Sequence, residues 1–236
     1  MKIVTPFKPF APESESHQRM ADFNWSEAIE MLRASAWESC RCPVEVLGEQ
    51  YQTTHTRLML WLLEVSLRYL ESPDFDQDTA MLSPDMLVFE DLQPYFRADL
   101  GIVARLSPKF KASGRVLLWG MQFWSVAGKD RLVALYRQAL AIAEGLSEEA
   151  KVWGADVEPF YRLLAPTRYG IADRAGLSVD FLDEQSVMAS INSHDIARLQ
   201  AGEAPVTMAP VVDFRYTRKL HMRAYFDATV GTVVCA

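Results

Sequence analysis

The sequence has too little cysteine for a disulfide framework. It carries three cysteines in 236 residues, and Cys40 and Cys42 lie too close for the C-x-x-C spacing of a metal or redox motif. With Cys235 near the end, all three read as reduced structural thiols. No run approaches the ~20 apolar residues of a membrane-spanning helix. Met1-Lys-Ile-Val-Thr-Pro-Phe7 lacks the apolar core of a signal peptide. These absences predict a soluble protein of the reducing cytoplasm, with no membrane partner. Positive charge is also in deficit: 24 Lys and Arg against 31 Asp and Glu give a net charge of -7 and a pI of about 5.2. Such a balance speaks against a sequence-independent grip on nucleic acid, which needs a basic footprint. There is no internal repeat and no low-complexity tract.

Half of the residues are hydrophobic, enough for a sizeable core in one large domain or two small ones. Lys2-Ile-Val-Thr5 reads as a first strand, and Pro6, Pro9 and Pro12 force an extended loop after it. Trp25, Ala28, Ile29, Leu32 and Ala36 fall at helical spacing, so a helix capped by Asn24 or Ser26 is predicted to run to about Ser39. Pro43 to Leu47 alternates as a strand. Leu58, Leu62, Val65 and Tyr69 mark a buried helix over His55 to Leu70, with Thr54 as its cap. Strand, helix, strand in this order predicts a parallel sheet with crossover helices. Asp99 to Ala104, Val116 to Trp124 and Leu177 to Phe181 read as further strands, and Met188 to Ile191 more weakly so. Ala127 to Gly145 is an amphipathic helix. Tyr169 to Gly176 reads as a loop.

The chain is organised around Thr79-Ala-Met-Leu-Ser-Pro-Asp-Met-Leu-Val-Phe-Glu-Asp-Leu92. Two apolar runs flank a Ser83-Pro84-Asp85 corner, where the proline breaks regular pairing. A strand that stops at such a corner presents a carboxylate at a sheet edge. This stretch, with the following Leu92-Gln-Pro-Tyr-Phe96, resembles the DxD segment of GT-A glycosyltransferases, especially the glycogenin and galactosyltransferase-like group. Asp85 stands for the second Asp of the motif, and Ser83 replaces the first. The resemblance continues in the family's order. Thr54-His-Thr-Arg-Leu58 matches an aromatic-x-Arg-Leu motif at Arg57 and Leu58. Val116 to Trp124 resembles the strand lining the sugar pocket, with Gln122 as its polar residue. Asp156 matches an acidic residue in a loop before a helix. Asp213-Phe-Arg-Tyr-Thr-Arg-Lys219 resembles the closing His-Phe-x-Gly-x-Arg/Lys-Lys segment, with Asp213 in place of the His and Arg218 and Lys219 as the basic pair.

The resemblance implies one α/β domain over residues 1–236, GT-A-like, with a Rossmann-like, mixed and mostly parallel sheet flanked by helices. It implies transfer of a sugar from a nucleotide-sugar donor to an unidentified acceptor. Thr5, Pro6 and Phe7 would meet the donor base. A divalent metal, Mn2+ or Mg2+, would be held by Asp85 and Asp213 beside Ser83, and would bridge the donor diphosphate. Arg57, Arg218 and Lys219 would add positive charge there, while Gln122 and Asp156 would orient the sugar or acceptor.

Each residue also has a plainer reading. Asp85 would be a solvated turn residue, Arg57 a surface cation paired with a nearby Glu, and Gln122 a buried amide satisfied by a backbone carbonyl. Asp156 would be a helix N-cap, and the C-terminal basic residues a solvated helix face. The acceptor is a glycan, a small molecule or, less in keeping with the acidic total, DNA met by Lys109, Lys111 and Arg115. The alternative function is a catalytically inactive GT-A-like protein that binds a nucleotide or a protein partner. A nucleotidyltransferase ranks low, because Thr5 to Pro12 contains no glycine for a phosphate loop. A homo-oligomer that completes the acceptor site stays open.

Overall fold

The computed structural model describes residues 1–8, 23–48, 50–112, 116–153 and 155–230. The basic loop residue Arg115, together with Pro9, Pro12 and Cys235, lies outside them. The chain forms two compact units, each assembled from separate stretches of sequence. No helix among the described residues is long and apolar enough to cross a membrane.

The first unit comprises Met1–Phe10, Glu45–Leu82 and Gln93–Glu184. Its seven-stranded sheet runs in the order β2-β1-β3-β6-β5-β8-β7, where β1 is Lys2–Pro6, β2 Val44–Leu47 and β3 Thr79–Leu82. The other strands are β5 (Leu100–Ala104), β6 (Leu117–Trp124), β7 (Gly170–Arg174) and β8 (Leu177–Asp183). β1 pairs parallel with β3, and β5 with β8, while β6 runs against both β3 and β5. The sheet is thus mixed with most strands in one direction, as the sequence predicts.

Two helices of this unit, Leu58–Glu71 and Lys129–Glu144, pack against each other. The first is buried nearly all round, because its apolar residues are not confined to one stripe. It begins at Leu58, later than the predicted start at His55. The cause is Glu64, a buried carboxylate that reaches back and accepts the backbone N–H groups of Thr54 at 3.0 Å and His55 at 3.2 Å. Those groups are satisfied off the helix, so the chain has no need to coil there.

β7 was expected to be loop. It is an edge strand paired antiparallel with β8 through a tight turn at Ala175 and Gly176, with φ of 49° and 80°. Two left-handed residues in succession suit the twist of a two-residue hairpin. An alanine in that conformation is unusual, and this hid the hairpin from pattern reading.

β5 and β6 lose register between Ile102 and Val103, which pair with Gln122 and Leu118. The bulged residues leave backbone groups without ladder partners. Gln122, fully buried, answers one of them: its Nε2 donates to the Trp119 carbonyl at 3.1 Å. Its Oε1 accepts from Trp124 Nε1 at 3.1 Å and from the Tyr136 hydroxyl at 2.7 Å. The amide therefore stitches the bulge to an aromatic stack of Trp124, Tyr136 and Phe160.

The second unit comprises Ala11–Val44, Ser83–Leu92 and Gln185–Ala236. Its three-stranded sheet has the order β4-β10-β9, with β4 at Met86–Val88, β9 at Met188–Ser190 and β10 at Val211–Asp213. Helix α1 (Trp25–Cys40) starts at Asn24, whose side chain accepts the Glu27 N–H at 3.2 Å. Its buried face meets β4, and two serines bracket one peptide. Ser35 Oγ accepts the Val88 N–H at 3.1 Å, and Ser39 Oγ donates to the Val88 carbonyl at 2.8 Å. Leu87, Ile191, Val212, Phe214, Met222 and Tyr225 make the core beneath.

Replacing Gln122 with Leu strips partners from Trp124 Nε1, the Tyr136 hydroxyl and the Trp119 carbonyl at once. Each buried polar group left unpaired costs about 1–3 kcal/mol, so Gln122→Leu is expected to lower stability by about 2–4 kcal/mol in urea unfolding.

Candidate functional site

Short-range pairing builds one end of the second unit. Met86 of β4 lies opposite Asp213 of β10, and the Phe214 N–H donates to the Asp85 carbonyl at 3.0 Å. The ladder therefore brings Asp85 and Asp213, far apart in sequence, to the same end of the sheet. A 3-10 turn at Tyr216–His221 follows directly. With three residues per turn, it sends neighbouring basic side chains in different directions.

Both carboxylates are buried, Asp85 at 8% and Asp213 at 3% exposure. Asp85 forms an ion pair with Lys219, itself only 7% exposed. Asp213 pairs with Arg215 and accepts from Ser190 Oγ at 3.0 Å. The Lys219 ammonium also lies over the Trp25 ring, 4.9 Å from its centroid, in a cation–π contact. Burial by itself drives the Lys219 amine down to about 7. The carboxylate touching it acts the other way and favours the charged form. Arg218 is half-buried, with no ion pair from its side chain among the described residues. Each of the two carboxylates is thus matched by one cation, Asp85 by Lys219 and Asp213 by Arg215.

This donor set does not fit a divalent ion in the way the resemblance implied. A hard cation needs carboxylate oxygens free to turn toward it. Here each carboxylate already carries a cationic side chain in contact. Among the described residues no group of three or more His, Cys, Asp or Glu is placed to hold a metal. Ser83 opens the same corner and is partly exposed.

In the first unit, Thr5 and Pro6 close β1 and are buried, and Phe7 N–H donates to the Leu47 carbonyl at 2.9 Å. The Thr5 hydroxyl is buried and has no hydrogen-bond partner among the described residues. Just beyond the ends of β1 and β2 lies a cavity of about 320 Å³, lined by Lys8, Gly48, Tyr51, Gln52, His55 and Trp61 among others. Crevices at the carboxyl ends of strands are where open α/β sheets bind ligands. Lys8 stacks over Trp61 at 5.0 Å, and His55 stands between Glu64 and Glu144 at 3.5 and 3.3 Å. The sequence marks this strand end only as far as Phe7. The end of β2 was the signal that leads on to Gly48 and Tyr51.

Arg57 is engaged elsewhere. It pairs with the Glu148 carboxylate at 2.6 Å and donates to its backbone carbonyl at 3.1 Å. Gln122 is occupied in the core described above. Asp156 sits just before the short helix Glu158–Leu164, whose N-cap position belongs to Val157. The residue keeps some surface, but its Oδ1 is shut off from solvent and has no partner. This burial pushes its carboxyl from 3.8 up to about 7, against weaker help to the charged form from the N–H groups of Asp156 and Val157.

The structure is similar to glycosyltransferases of known structure. A glycosyltransferase involved in the glycosylation of the major capsid of PBCV-1 aligns over 94% of this chain and 98% of its own, with a TM-score of 0.55 and 11% identity. The glycosyltransferase GlyE of Streptococcus pneumoniae TIGR4 aligns over 99% of this chain and 63% of its own, with a TM-score of 0.52 and 13% identity. This chain thus spans less than two thirds of that second protein. At such identities the likeness is one of fold, and the GT-A-like architecture implied by the sequence is borne out. No protein-family model and no curated protein matches the sequence.

Asp156 gives a signed pH effect. Its folded pKa lies above the unfolded value, so between about 4 and 7 the native state holds a proton that the unfolded chain has lost. Its contribution to stability is full below that window and is lost as pH rises through it. Asp156→Asn is expected to flatten this slope and to raise stability at pH 8 by about 1–2 kcal/mol. Urea unfolding of both proteins at pH 5 and pH 8 checks it.

Proposed function

We propose that this protein transfers a sugar from a nucleotide-sugar donor to an acceptor hydroxyl. The observation that carries the reading is the cluster at the end of the β4–β10 ladder. There, a fold shared with glycosyltransferases gathers Asp85, Asp213, Arg215 and Lys219, with Arg218 on the same turn as Lys219. Glycosyl transfer builds negative charge on the departing diphosphate. Fixed cations in a water-poor site stabilise it as the bond breaks.

Arg218 and Lys219 are the cations assigned to that diphosphate. The cavity beyond β1 and β2 suits a nucleoside: it has aromatic walls at Tyr51 and Trp61 and polar groups at Lys8, Gln52 and Thr53. Thr5 offers an unpaired hydroxyl close to the same strand end. Asp156 changes its protonation state near neutral pH, the property required of a base that takes the acceptor's proton. Ser83 is assigned a polar contact with the donor. Gln122 is assigned the support of the strand behind the sugar, acting through its bulge.

Incubation with a panel of UDP-, GDP-, CMP-, ADP- and dTDP-sugars is expected to release nucleotide from one donor type. Arg218→Ala should weaken binding of the corresponding nucleotide about tenfold, the scale of one charge-assisted contact. Failure of every donor to turn over and of every nucleotide to bind would refute the reading. Binding without turnover would leave a nucleotide-binding protein.

A further inference from the structure

The Asp85–Lys219 pair places a buried cation on the carboxylate to which the resemblance gave a metal. Lys219 is held from two sides, by the Asp85 carboxylate and by the Trp25 ring at 4.9 Å. Asp213 is itself engaged, because the Arg215 guanidinium and the Ser190 hydroxyl both meet its Oδ2. A divalent ion entering here would meet an ammonium on the same carboxylate. It would have to part Lys219 from Asp85.

We propose that this site neutralises the diphosphate of its ligand with the Lys219 side chain in place of a divalent cation, Asp85 serving to position that ammonium. The inference rests on the glycosyltransferase reading above and specifies how its leaving group is held. An ammonium has three N–H donors and no acceptor. One is spent on Asp85, and the others remain for phosphate oxygens. Arg218, on the same turn, brings a second charge. In the transfer, the bond from the anomeric carbon to the diphosphate oxygen breaks and its electron pair stays on the diphosphate. The acceptor oxygen forms the new bond and gives up its proton to a base. Lys219, held by Asp85, and Arg218 are the side-chain cations that meet the developing charge, and no metal enters the step.

The test is calorimetric titration of the full chain with UDP, GDP, CDP, ADP and dTDP, in EDTA and again with millimolar Mn2+. One diphosphate is expected to bind with affinities that agree within about threefold in the two buffers, since the fixed ammonium supplies the charge-assisted contact. Lys219→Met, shown to be folded by circular dichroism, should lose at least about tenfold in EDTA, and Lys219→Arg should recover part of the loss. Binding that appears only with Mn2+ overturns the proposal and leaves the glycosyltransferase reading standing. So does a folded Lys219→Met that binds like the parent. Absence of binding by all diphosphates in both buffers removes the reading itself, and this inference with it. The comparison of the two buffers needs no variant, so misfolding of Lys219→Met does not spoil the test.

Discussion

A buried charge must find an opposite charge, and the second unit is arranged around that demand. Asp85 and Asp213 sit at the end of a ladder only three residues long. Neither would remain ionised at that depth alone, since desolvation disfavours the charged form. Lys219 and Arg215 supply the answers, and both come from the turn that follows β10. The small sheet, the turn and the first residue of α1 are thereby bound into one electrostatic arrangement. Removing one partner would strand the other in a place where water cannot reach it.

The first unit also sets a cation against a buried carboxylate, Arg97 against Asp180 at 2.7 Å, but elsewhere it uses neutral groups and backbone N–H groups. Gln122 closes a bulge, Glu64 ties down a loop, and two aromatic rings share the glutamine's oxygen. These devices are of one kind: a side chain supplies the hydrogen bond that an irregular backbone lacks. They also show why polar residues in this core are poor evidence of ligand binding on their own. Asp156 and Asp180 each keep one buried oxygen without a partner among the described residues, and only Asp180 pairs with a cation, Arg97, through the other.

Much of the architecture was legible in the sequence. The strands ending at Thr5, Leu47 and Leu82 and the long helices stood out by period, and the Ser83-Pro84-Asp85 corner marked the passage from β3 to β4. The hairpin at Ala175 was not legible, because alanine gives no sign of a left-handed backbone. The late start at Leu58 was hidden for another reason: Glu64, ten residues after Thr54, decides it. At the candidate site the residue types were readable, while their partners were not. Sequence places Asp85 and Lys219 in motifs, but only three-dimensional register brings the one against the other. Arg57 shows the same limit, its charge being taken by Glu148.

The loop from Tyr51 to His55 is fastened by its backbone. Glu64 holds the N–H groups of Thr54 and His55 from inside the following helix, so the frame of the neighbouring cavity does not depend on which side chains point into it. Selection can therefore exchange the exposed Gln52 and alter what the cavity accepts while the loop keeps its path. Change at Glu64 would release the whole wall. Evolutionary freedom in this region is divided accordingly: wide at the cavity's lining, and narrow at one carboxylate behind it.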